Sequence, residues 1–545
     1  MKTNTLAALA AVGLALLVGN AGCRTTPAPA PDEEHTAQPQ PQAQTEKEQE
    51  KKPAEAPAQT TVPARPFSPR EPMQLVLRHD PKNPIVTFRL VFQAGSIDDP
   101  KGKEGLTALT AAVMSQGGTK ELSSSQLDDV LFPMAAELDV GVDKELTVFA
   151  GRIHQDHLDR FLQIFTDVLL APRFDPRELE RLRNDSVARI QNELRGQDDE
   201  TLGKVALDEM LFEGHPYRHF TGGTVEGLKA ITLEDLQQHA QRVFTQDRLV
   251  IGLAGNATPE LQQRLRDRLS QLPAKGAPLV ELPTVQPQPG RAWILEKPVL
   301  STAISMGYPY PVRRGDEDFV PLALALSYLG EHRMFNGVLF KELREKRGLN
   351  YGNYAYPEHF LQEGWSTRAR TNVARRQQDF TIWIRPVEAK HTMFATRGAV
   401  HFLDRLVQHG IPEDQFELSR GFLSGYTRLW EQTDARRLGF AIDALFYGTP
   451  DYLEVFRQRL ATLTREEVHA AVKRHLSPDR LSFVFVGPDA EALEKLLREQ
   501  PPSPNEYAAP VAPEVLAEDE KFIGRKLPIA PDRIERRDVS QFMQR

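Results

Sequence analysis

Alternating apolar and polar residues predict two β-strands near the start of the folded region. Residues 73–77 and 85–92 (IVTFRLVF) alternate with a period of two, which is typical of strands, and the polar run HDPKNP between them predicts a turn. A similar pair of strands is predicted far downstream, at residues 292–295 and 302–306. Both halves of the chain therefore open in the same way, with strands expected to pair through hairpins.

An internal repeat without gaps relates the two halves. Residues 231–266 (ITLEDLQQHAQRVFTQDRLVIGLAGNATPELQQRLR) align with residues 463–498 (LTREEVHAAVKRHLSPDRLSFVFVGPDAEALEKLLR) at a constant offset of 232. In each copy a threonine, Thr232 or Thr464, is placed to cap an amphipathic helix, and a β-rich run and a second helix follow. A repeat of this length indicates two homologous domains, because the repeats of solenoids span only about 20–50 residues.

Strands interleaved with amphipathic helices favour an α+β fold, with helices on one face of a largely antiparallel sheet in each domain. The proline-rich residues 273–290 predict an inter-domain linker, so the domains are placed at residues 71–272 and 291–499. Residues 24–70 contain ten prolines and few apolar side chains, which predicts a disordered, extended tether. Residues 500–545 are expected to form a loosely packed C-terminal tail.

Composition and charge narrow the functional classes. The net charge of −8 argues against a general nucleic-acid binder, which would carry a basic excess. The hydrophobic fraction of 40% and the charged fraction of 26% are typical of a soluble globular protein. The single cysteine excludes an intramolecular disulfide and a cysteine-based zinc site.

That cysteine, Cys23, ends an N-terminal segment typical of a secretory signal peptide. Residues 1–23 (MKTNTLAALAAVGLALLVGNAGC) combine a short positive start, an apolar run and small residues before the cysteine, and they resemble a bacterial lipoprotein signal. The signal usually has Leu where Asn20 stands, and the alternative is an ordinary signal cleaved near Ala21. Arg24, in place of Asp, follows the predicted lipidation site and favours an outer-membrane anchor that faces the periplasm.

Four segments, by their order and spacing, resemble the pitrilysin/insulinase-type metallopeptidases, a family that includes the mitochondrial processing peptidase. They are residues 92–119 (FQAGSIDDPKGKEGLTALTAAVMSQGGT), 170–185 (LAPRFDPRELERLRND), 212–236 (FEGHPYRHFTGGTVEGLKAITLEDL) and 340–351 (FKELREKRGLNY). The resemblance spans nearly all of residues 71–499. It implies two homologous α+β domains, similar to those of the mitochondrial processing peptidase, that form one half of a clamshell.

Catalysis in that family requires the motif H-x-x-E-H on one helix. The two histidines lie four residues apart and bind zinc from one helix face, while the glutamate activates the metal-bound water. In this chain the three functional positions are Ala108, Ala111 and Ala112, and Ala188 lies in the region expected to supply the last ligand. Alanine offers no ligand atom but favours helix, so the resemblance implies a scaffold helix without zinc.

Two histidine pairs are alternative candidates for a zinc site. His154 and His157 lie three residues apart, and His215 and His219 lie four apart. Pro216 disfavours a helix through the second pair, and neither pair has an acidic third ligand at motif spacing. Surface or capping roles are favoured for these histidines, and no metal or other cofactor is expected on this chain.

The second domain retains a different part of the family's active site. The segment LREKRGLNY contains Arg344 and Tyr351, and in the family this Arg/Tyr pair reaches across the cavity, hydrogen-bonds the substrate backbone and stabilises the developing oxyanion. Without the resemblance, Arg344 would be interpreted as a solvated charge and Tyr351 as a core aromatic.

The resemblance therefore implies a non-catalytic, substrate-binding subunit of a heterodimeric periplasmic zinc metallopeptidase that acts on peptides. A partner chain with the zinc motif would supply the metal, and the lipid anchor would supply the contact with the membrane. The alternative is a pseudoenzyme that binds peptides or acts as an assembly scaffold and has no peptidase activity.

Overall fold

The structure is a computed structural model that describes residues 61–331, 335–363 and 368–545. The predicted signal peptide at residues 1–23, its Cys23 and residues 24–60 of the predicted tether lie outside the described residues. None of the described helices is both long enough and apolar enough to cross a bilayer.

The N-terminal domain contains a five-stranded sheet with the order β1-β5-β2-β4-β3 among the described residues. Its strands are β1 (Gln74–His79), β2 (Ile85–Phe92), β3 (Glu137–Val142), β4 (Thr147–His154) and β5 (Leu249–Gly255). Its helices are α1 (Leu106–Gln116), α2 (Ser124–Leu131), α3 (Leu158–Leu170), α4 (Pro176–Ala188), α5 (Asp199–Leu211), α6 (Val225–Ala230), α7 (Leu233–Val243) and α8 (Pro259–Leu269).

The C-terminal domain contains a six-stranded sheet with the order β11-β6-β10-β7-β9-β8 in the described part of the chain. Its strands are β6 (Ala292–Glu296), β7 (Ser301–Tyr310), β8 (Asn353–Tyr356), β9 (Gln378–Glu388), β10 (Ser482–Gly487) and β11 (Ile534–Asp538). Its helices are α9 (Phe319–Gly330), α10 (Thr392–His409), α11 (Glu413–Trp430), α12 (Asp434–Tyr447), α13 (Tyr452–Thr462), α14 (Arg465–His475), α15 (Ala490–Glu499) and α16 (Pro513–Asp519).

The internal repeat corresponds to repeated structure, which confirms the prediction of two homologous α+β domains. The series α7, β5 and α8 recurs as α14, β10 and α15. The Thr232 hydroxyl accepts a hydrogen bond from the Asp235 backbone N–H, and the Thr464 hydroxyl accepts one from that of Glu467. In both copies the acidic side chain also accepts a hydrogen bond from the threonine N–H, which completes a capping box.

The strands predicted at the start of each domain are present, but the predicted hairpin pairing is wrong. β5 lies between β1 and β2, parallel to β1 and antiparallel to β2. β10 lies between β6 and β7 in the same manner. Alternation shows that a segment is a strand with one buried face, but it does not show which strand will pair with it. The inserted strand in each domain comes from the distant repeat.

Each sheet is covered on one face by a helix from the other domain. α5 of the N-terminal domain packs on β7 and β10, and α12 of the C-terminal domain packs on β1, β2 and β5. The approach of α12 is close, because a methyl group at Gly252 of β5 would lie 2.8 Å from Ile442 Cδ1. Separation of the two domains would therefore expose apolar surface on both sheets.

The C-terminal residues are packed, so the expectation of a loose tail is wrong. β11 adds to the edge of the second sheet by pairing in parallel with β6. Phe522 is fully buried, with its ring 5.0 Å from that of Phe394. Asp519 forms a buried ion pair with Arg347 at 2.8 Å. The apolar residues that anchor this region are spaced irregularly, and irregular spacing gives no periodic signal of a helix or strand.

The end of the predicted tether is also packed. Val62 forms a β-bridge with Val285 in the predicted linker, and Phe67 is buried with its ring 5.1 Å from that of Phe446. The folded region therefore begins at or before Val62, which corrects the predicted boundary at residue 71.

Candidate functional site

The helix that carries the zinc motif in the family is held in place here by hydrogen bonds. α1 begins after Gly105, which has a φ of +100°. The Asp99 carboxylate accepts hydrogen bonds from the backbone N–H groups of Gly105 and Thr107, both at 2.7 Å. A carboxylate at this helix end satisfies free donors and interacts favourably with the helix dipole. The N-terminus of α1 is therefore fixed by protein groups.

The four degenerate motif positions present only methyl groups. Ala111 is fully buried, and Ala108 and Ala112 are half-buried on the same helix. Ala188 is the last residue of α4, which packs against α1. None of these side chains has a lone pair, so the zinc ion of the family does not fit this site.

The first histidine pair has the surface and capping role that was favoured for it. His154 is half-buried, and its Nδ1 accepts a hydrogen bond from the Asp156 N–H at 3.3 Å. His157 is exposed and directly precedes α3. The His154 side chain therefore caps a helical turn, whereas the His157 side chain makes no capping hydrogen bond.

The second pair differs from its prediction. His219 is half-buried, with its Nε2 3.2 Å from the Asp99 carboxylate. His215 is only 6% exposed, so a surface role is wrong for this residue. Its Nδ1 accepts a hydrogen bond from the Tyr217 N–H at 3.1 Å, and its ring packs edge-on against the Tyr217 ring. The polar segment around His215 obscured the fact that this turn folds into the core.

The buried His215 makes the stability depend on pH. Burial, with help from the nearby positive charges of Arg376 and Lys144, lowers the pKa of His215 from 6.5 to about 4. As the pH falls from 6.5 to 4, the unfolded chain binds a proton that the folded chain does not bind. The free energy of unfolding is therefore expected to fall by up to about 3 kcal/mol through this group alone.

Urea unfolding at several pH values between 7.5 and 4.5 tests this expectation. His215→Gln should flatten the profile, whereas His154→Gln, a change at a half-buried capping histidine, should leave it unchanged. Parallel profiles for the wild type and His215→Gln would contradict the assignment.

The Arg344 and Tyr351 side chains lie next to each other. Arg344 lies in a π-helical segment, Phe340–Glu345, and its guanidinium carbon is 4.8 Å from the centre of the Tyr351 ring. The same guanidinium lies 4.4 Å from the centre of the Phe340 ring. Tyr351 is 61% exposed, so it is not a core aromatic. The pair presents a guanidinium and a phenol at the surface of the C-terminal domain.

Arg385 is a third member of this cluster that the sequence did not reveal. Its guanidinium lies 5.2 Å from the Tyr351 ring centre, and it forms an ion pair with Glu200 of α5 at 2.9 Å. The guanidinium groups of Arg344 and Arg385 both contact the Tyr351 ring. These cation–π contacts hold the ring in place and add positive potential around its phenol. The only sequence signal was one positive charge between Ile384 and Pro386 of strand β9.

Two buried ion pairs join the loop between β3 and β4 to the C-terminal domain. Asp143 accepts two hydrogen bonds from Arg375, both at 2.8 Å. Burial disfavours the charged form of Asp143, but the Arg375 guanidinium holds the pKa of that carboxyl well below its usual range. Glu145 accepts a hydrogen bond from the Arg376 backbone N–H at 2.6 Å and is also bonded to Tyr217. The end of strand β3 is thereby positioned by the other domain.

Strand β3 forms an edge of the N-terminal sheet in the part of the chain that the structure describes, because it pairs only with β4. α1 packs against β3, so this edge lies beside the degenerate motif. The Arg370 guanidinium of the C-terminal domain contacts Gly141 of β3, at a point that a larger residue would block. The edge thus offers backbone hydrogen-bonding groups next to a cation.

Family comparisons agree with this geometry. A model of the insulinase family (peptidase family M16) matches residues 74–218, and a model described as the peptidase M16 inactive domain matches residues 230–421. The chain belongs to the pitrilysin/insulinase family. It is a non-catalytic member, because its zinc-binding positions are alanines, and its two homologous domains correspond to one half of the clamshell.

Three similar proteins extend the comparison. The non-peptidase homolog YmxG of Helicobacter pylori is 22% identical over 411 residues, which cover 74% of this chain and 89% of that protein. The crystal structure of a peptidase M16 inactive domain from Pseudomonas fluorescens has a TM-score of 0.69 at 23% identity and covers 79% of this chain and 98% of the other. A chain of complex III from Candida albicans has a TM-score of 0.59 at 14% identity, covering 76% and 93%. The structural likenesses show a shared fold.

Proposed function

We propose that this chain is the substrate-binding subunit of a heterodimeric periplasmic zinc metallopeptidase that cleaves peptides. The observation that carries the proposal is the contrast between the two domains. The zinc positions Ala108, Ala111 and Ala112 offer no ligand atom, whereas the half-buried Arg344 lies against the exposed Tyr351 ring. A guanidinium and a phenol side by side, without a metal-binding motif on the same chain, support a composite active site with a partner.

The chemistry of the pair suits a substrate carbonyl. A guanidinium is always charged, and a phenol donates a hydrogen bond without adding a competing charge. Aimed at the carbonyl oxygen of a scissile peptide bond, both groups would stabilise the negative charge that develops there. The metal for this reaction would belong to a partner chain that carries an intact zinc motif.

The edge of β3 supports an extended peptide as the substrate. A peptide that adds a strand there would hydrogen-bond through its backbone, a mode that tolerates many sequences. The Arg370 guanidinium at Gly141 would favour a carboxylate on that peptide. A short unfolded polypeptide with an acidic residue or a free C-terminus fits this surface.

The cell envelope is the proposed location. The signal-like residues 1–23 would direct export, and acylation of Cys23 would anchor the chain at the outer membrane, facing the periplasm. The proline-rich residues between Cys23 and Val62 would act as a spacer between the membrane and the folded region.

A second candidate function is a peptide-binding or assembly scaffold without peptidase activity. The shared fold with a chain of complex III supports this candidate, because that chain belongs to a large assembly.

Mixing this protein with a family chain that carries H-x-x-E-H distinguishes the peptidase subunit from the scaffold. Size-exclusion chromatography with light scattering should show a one-to-one complex that hydrolyses an unfolded peptide faster than either chain alone. A complex that forms without any gain in hydrolysis would favour the scaffold. Two chains that elute separately at micromolar concentration would contradict the heterodimer.

A further inference from the structure

Three side chains that are far apart in sequence meet at the interface between the domains. They are Asp208 of α5, His359 in the loop after β8, and Asp379 of β9, and one ligand atom from each lies within 4.8 Å of the other two. Among the described residues 61–331, 335–363 and 368–545, no other group of His, Cys, Asp and Glu side chains comes this close in threes. α5 belongs to the N-terminal domain, so the cluster bridges both domains.

Asp379 points to a missing ligand. The residue is only 1% exposed, and neither of its carboxylate oxygens has a hydrogen-bond partner within the described part of the chain. The distance from its Oδ1 to His359 Nδ1 is 3.8 Å, which is too long for a hydrogen bond. Buried carboxylates are normally hydrogen-bonded, paired or bound to a metal. An unsatisfied, buried carboxylate aimed at an imidazole therefore requires an explanation.

The nearby cations do not provide a hydrogen-bond partner for the Asp379 carboxylate. Arg375 is committed to Asp143 through two hydrogen bonds, and Lys144 donates to the His219 carbonyl at 2.5 Å. Three carboxylates, those of Asp143, Asp208 and Asp379, thus share two cations in this region. Neither cation is therefore hydrogen-bonded to Asp379, and a further cation between Asp208 and Asp379 would fill that role.

The ligand set matches a transition-metal ion. Two carboxylates and one imidazole are typical of Zn²⁺, Mn²⁺ or Fe²⁺, whereas Ca²⁺ and Mg²⁺ prefer oxygen alone. The His359 Nδ1 lies 3.8 Å from the Asp379 Oδ1, so a ring nitrogen is placed beside the carboxylate as a ligand atom. Ligand atoms about 2.1 Å from a tetrahedral ion lie about 3.4 Å apart. The three ligand atoms here lie within 4.8 Å of one another, so the side chains must move by about 1 Å to bind the ion.

The surroundings of the cluster can hold the imidazole and admit an ion. The Gln378 side chain accepts a hydrogen bond from the His359 backbone N–H at 3.1 Å, which fixes the loop beside β9. Asp208 is half-buried and the His359 side chain is 16% exposed, so the cluster has a path to solvent. A path of this kind leaves room for water in the remaining coordination positions.

We propose that Asp208, His359 and Asp379 bind a divalent transition-metal ion that clasps the two domains together. The ion bridges α5 of the N-terminal domain to β9 and the loop after β8 of the C-terminal domain. Its role is structural, and it is distinct from the zinc of the proposed composite active site. This proposal departs from the expectation that the chain binds no metal, and residues separated by 151 and 20 positions leave no motif spacing in the sequence.

Metal binding to the purified full chain in detergent tests the proposal without any partner. The chain is stripped with a chelator, dialysed and titrated separately with ZnCl₂ and MnCl₂, and bound metal is measured by calorimetry and elemental analysis. About one equivalent of one of these ions is expected, together with a higher melting temperature. His359→Ala and Asp379→Asn should each weaken binding at least about 10-fold.

His154→Ala is the matched control, because His154 also lies beside an aspartate, with its Nδ1 3.3 Å from the Asp156 carboxylate. This variant should bind the ion as the wild type does. Asp379→Asn removes a buried charge and keeps the shape of the side chain, so the variant should remain folded in circular dichroism. Binding below one tenth of an equivalent, or equal binding by the wild type and His359→Ala, would overturn the proposal.

Discussion

Arg344→Ala is expected to lower the kcat/KM of the assembled peptidase by about 100-fold, a loss typical of one missing oxyanion donor. The guanidinium of Arg344 stacks on the exposed Tyr351 ring, so its removal takes away both a donor and the support of the phenol. The loss should fall mainly on kcat, because the interaction strengthens as charge develops on the substrate oxygen. Tyr351→Phe should cost less, about 10-fold, since it removes one neutral donor.

Steady-state hydrolysis of a peptide by the reconstituted complex measures these effects. Lys346→Ala is the matched control, because Lys346 is an exposed cation two residues away that pairs with Glu342 of the same segment at 2.8 Å. Arg344→Lys should give an intermediate rate, since an ammonium keeps the charge but loses the planar fork. Equal rates for Arg344→Ala and Lys346→Ala would remove Arg344 from the active site.

Arg375→Ala is expected to lower the free energy of unfolding by about 3–5 kcal/mol, the usual cost of removing one partner from a buried ion pair. Arg375 is 2% exposed and holds Asp143 through two hydrogen bonds. Without the guanidinium, the carboxylate of Asp143 would remain buried beside Asp208, which is also acidic. The loop between β3 and β4 would then lose its fixed position against the C-terminal domain.

Urea unfolding at pH 7.5 tests this prediction. Arg181→Ala is the control, because Arg181 makes exposed ion pairs with Glu178 and Asp185 along α4, and such pairs contribute less than about 1 kcal/mol. The double variant Asp143→Ala/Arg375→Ala should be less destabilised than the sum of the single variants, since neither charge is left alone. A loss under about 1 kcal/mol for Arg375→Ala would show that the buried pair is not important for stability.

The repeat predicted more of the fold than any other feature of the sequence. Its offset of 232 aligns α7 with α14 and β5 with β10, and the two threonine caps lie where the pattern predicted them. Local signals of this kind depend on nearby residues and are readable in sequence. The pairing of β5 between β1 and β2 depends on contacts across more than 150 residues, so alternation did not reveal it.

The candidate site shows the same difference between local contacts and contacts between distant segments. Arg344 and Tyr351 were identified through the resemblance of the segment LREKRGLNY to the family, and their contact is local. Arg385 reaches Tyr351 from another strand, and Arg375 reaches Asp143 across the domain interface. Residues that come together only after the domains have packed leave no spacing to recognise.

The rate of peptide hydrolysis by a chain carrying H-x-x-E-H, measured alone and with an equimolar amount of this protein, shows whether the two chains form one active site. The composite site predicts at least about 100-fold faster hydrolysis by the mixture than by either chain alone, and no such gain when Arg344→Ala replaces the wild type. A zinc-bearing chain that hydrolyses the peptide equally fast without this protein would contradict a shared active site.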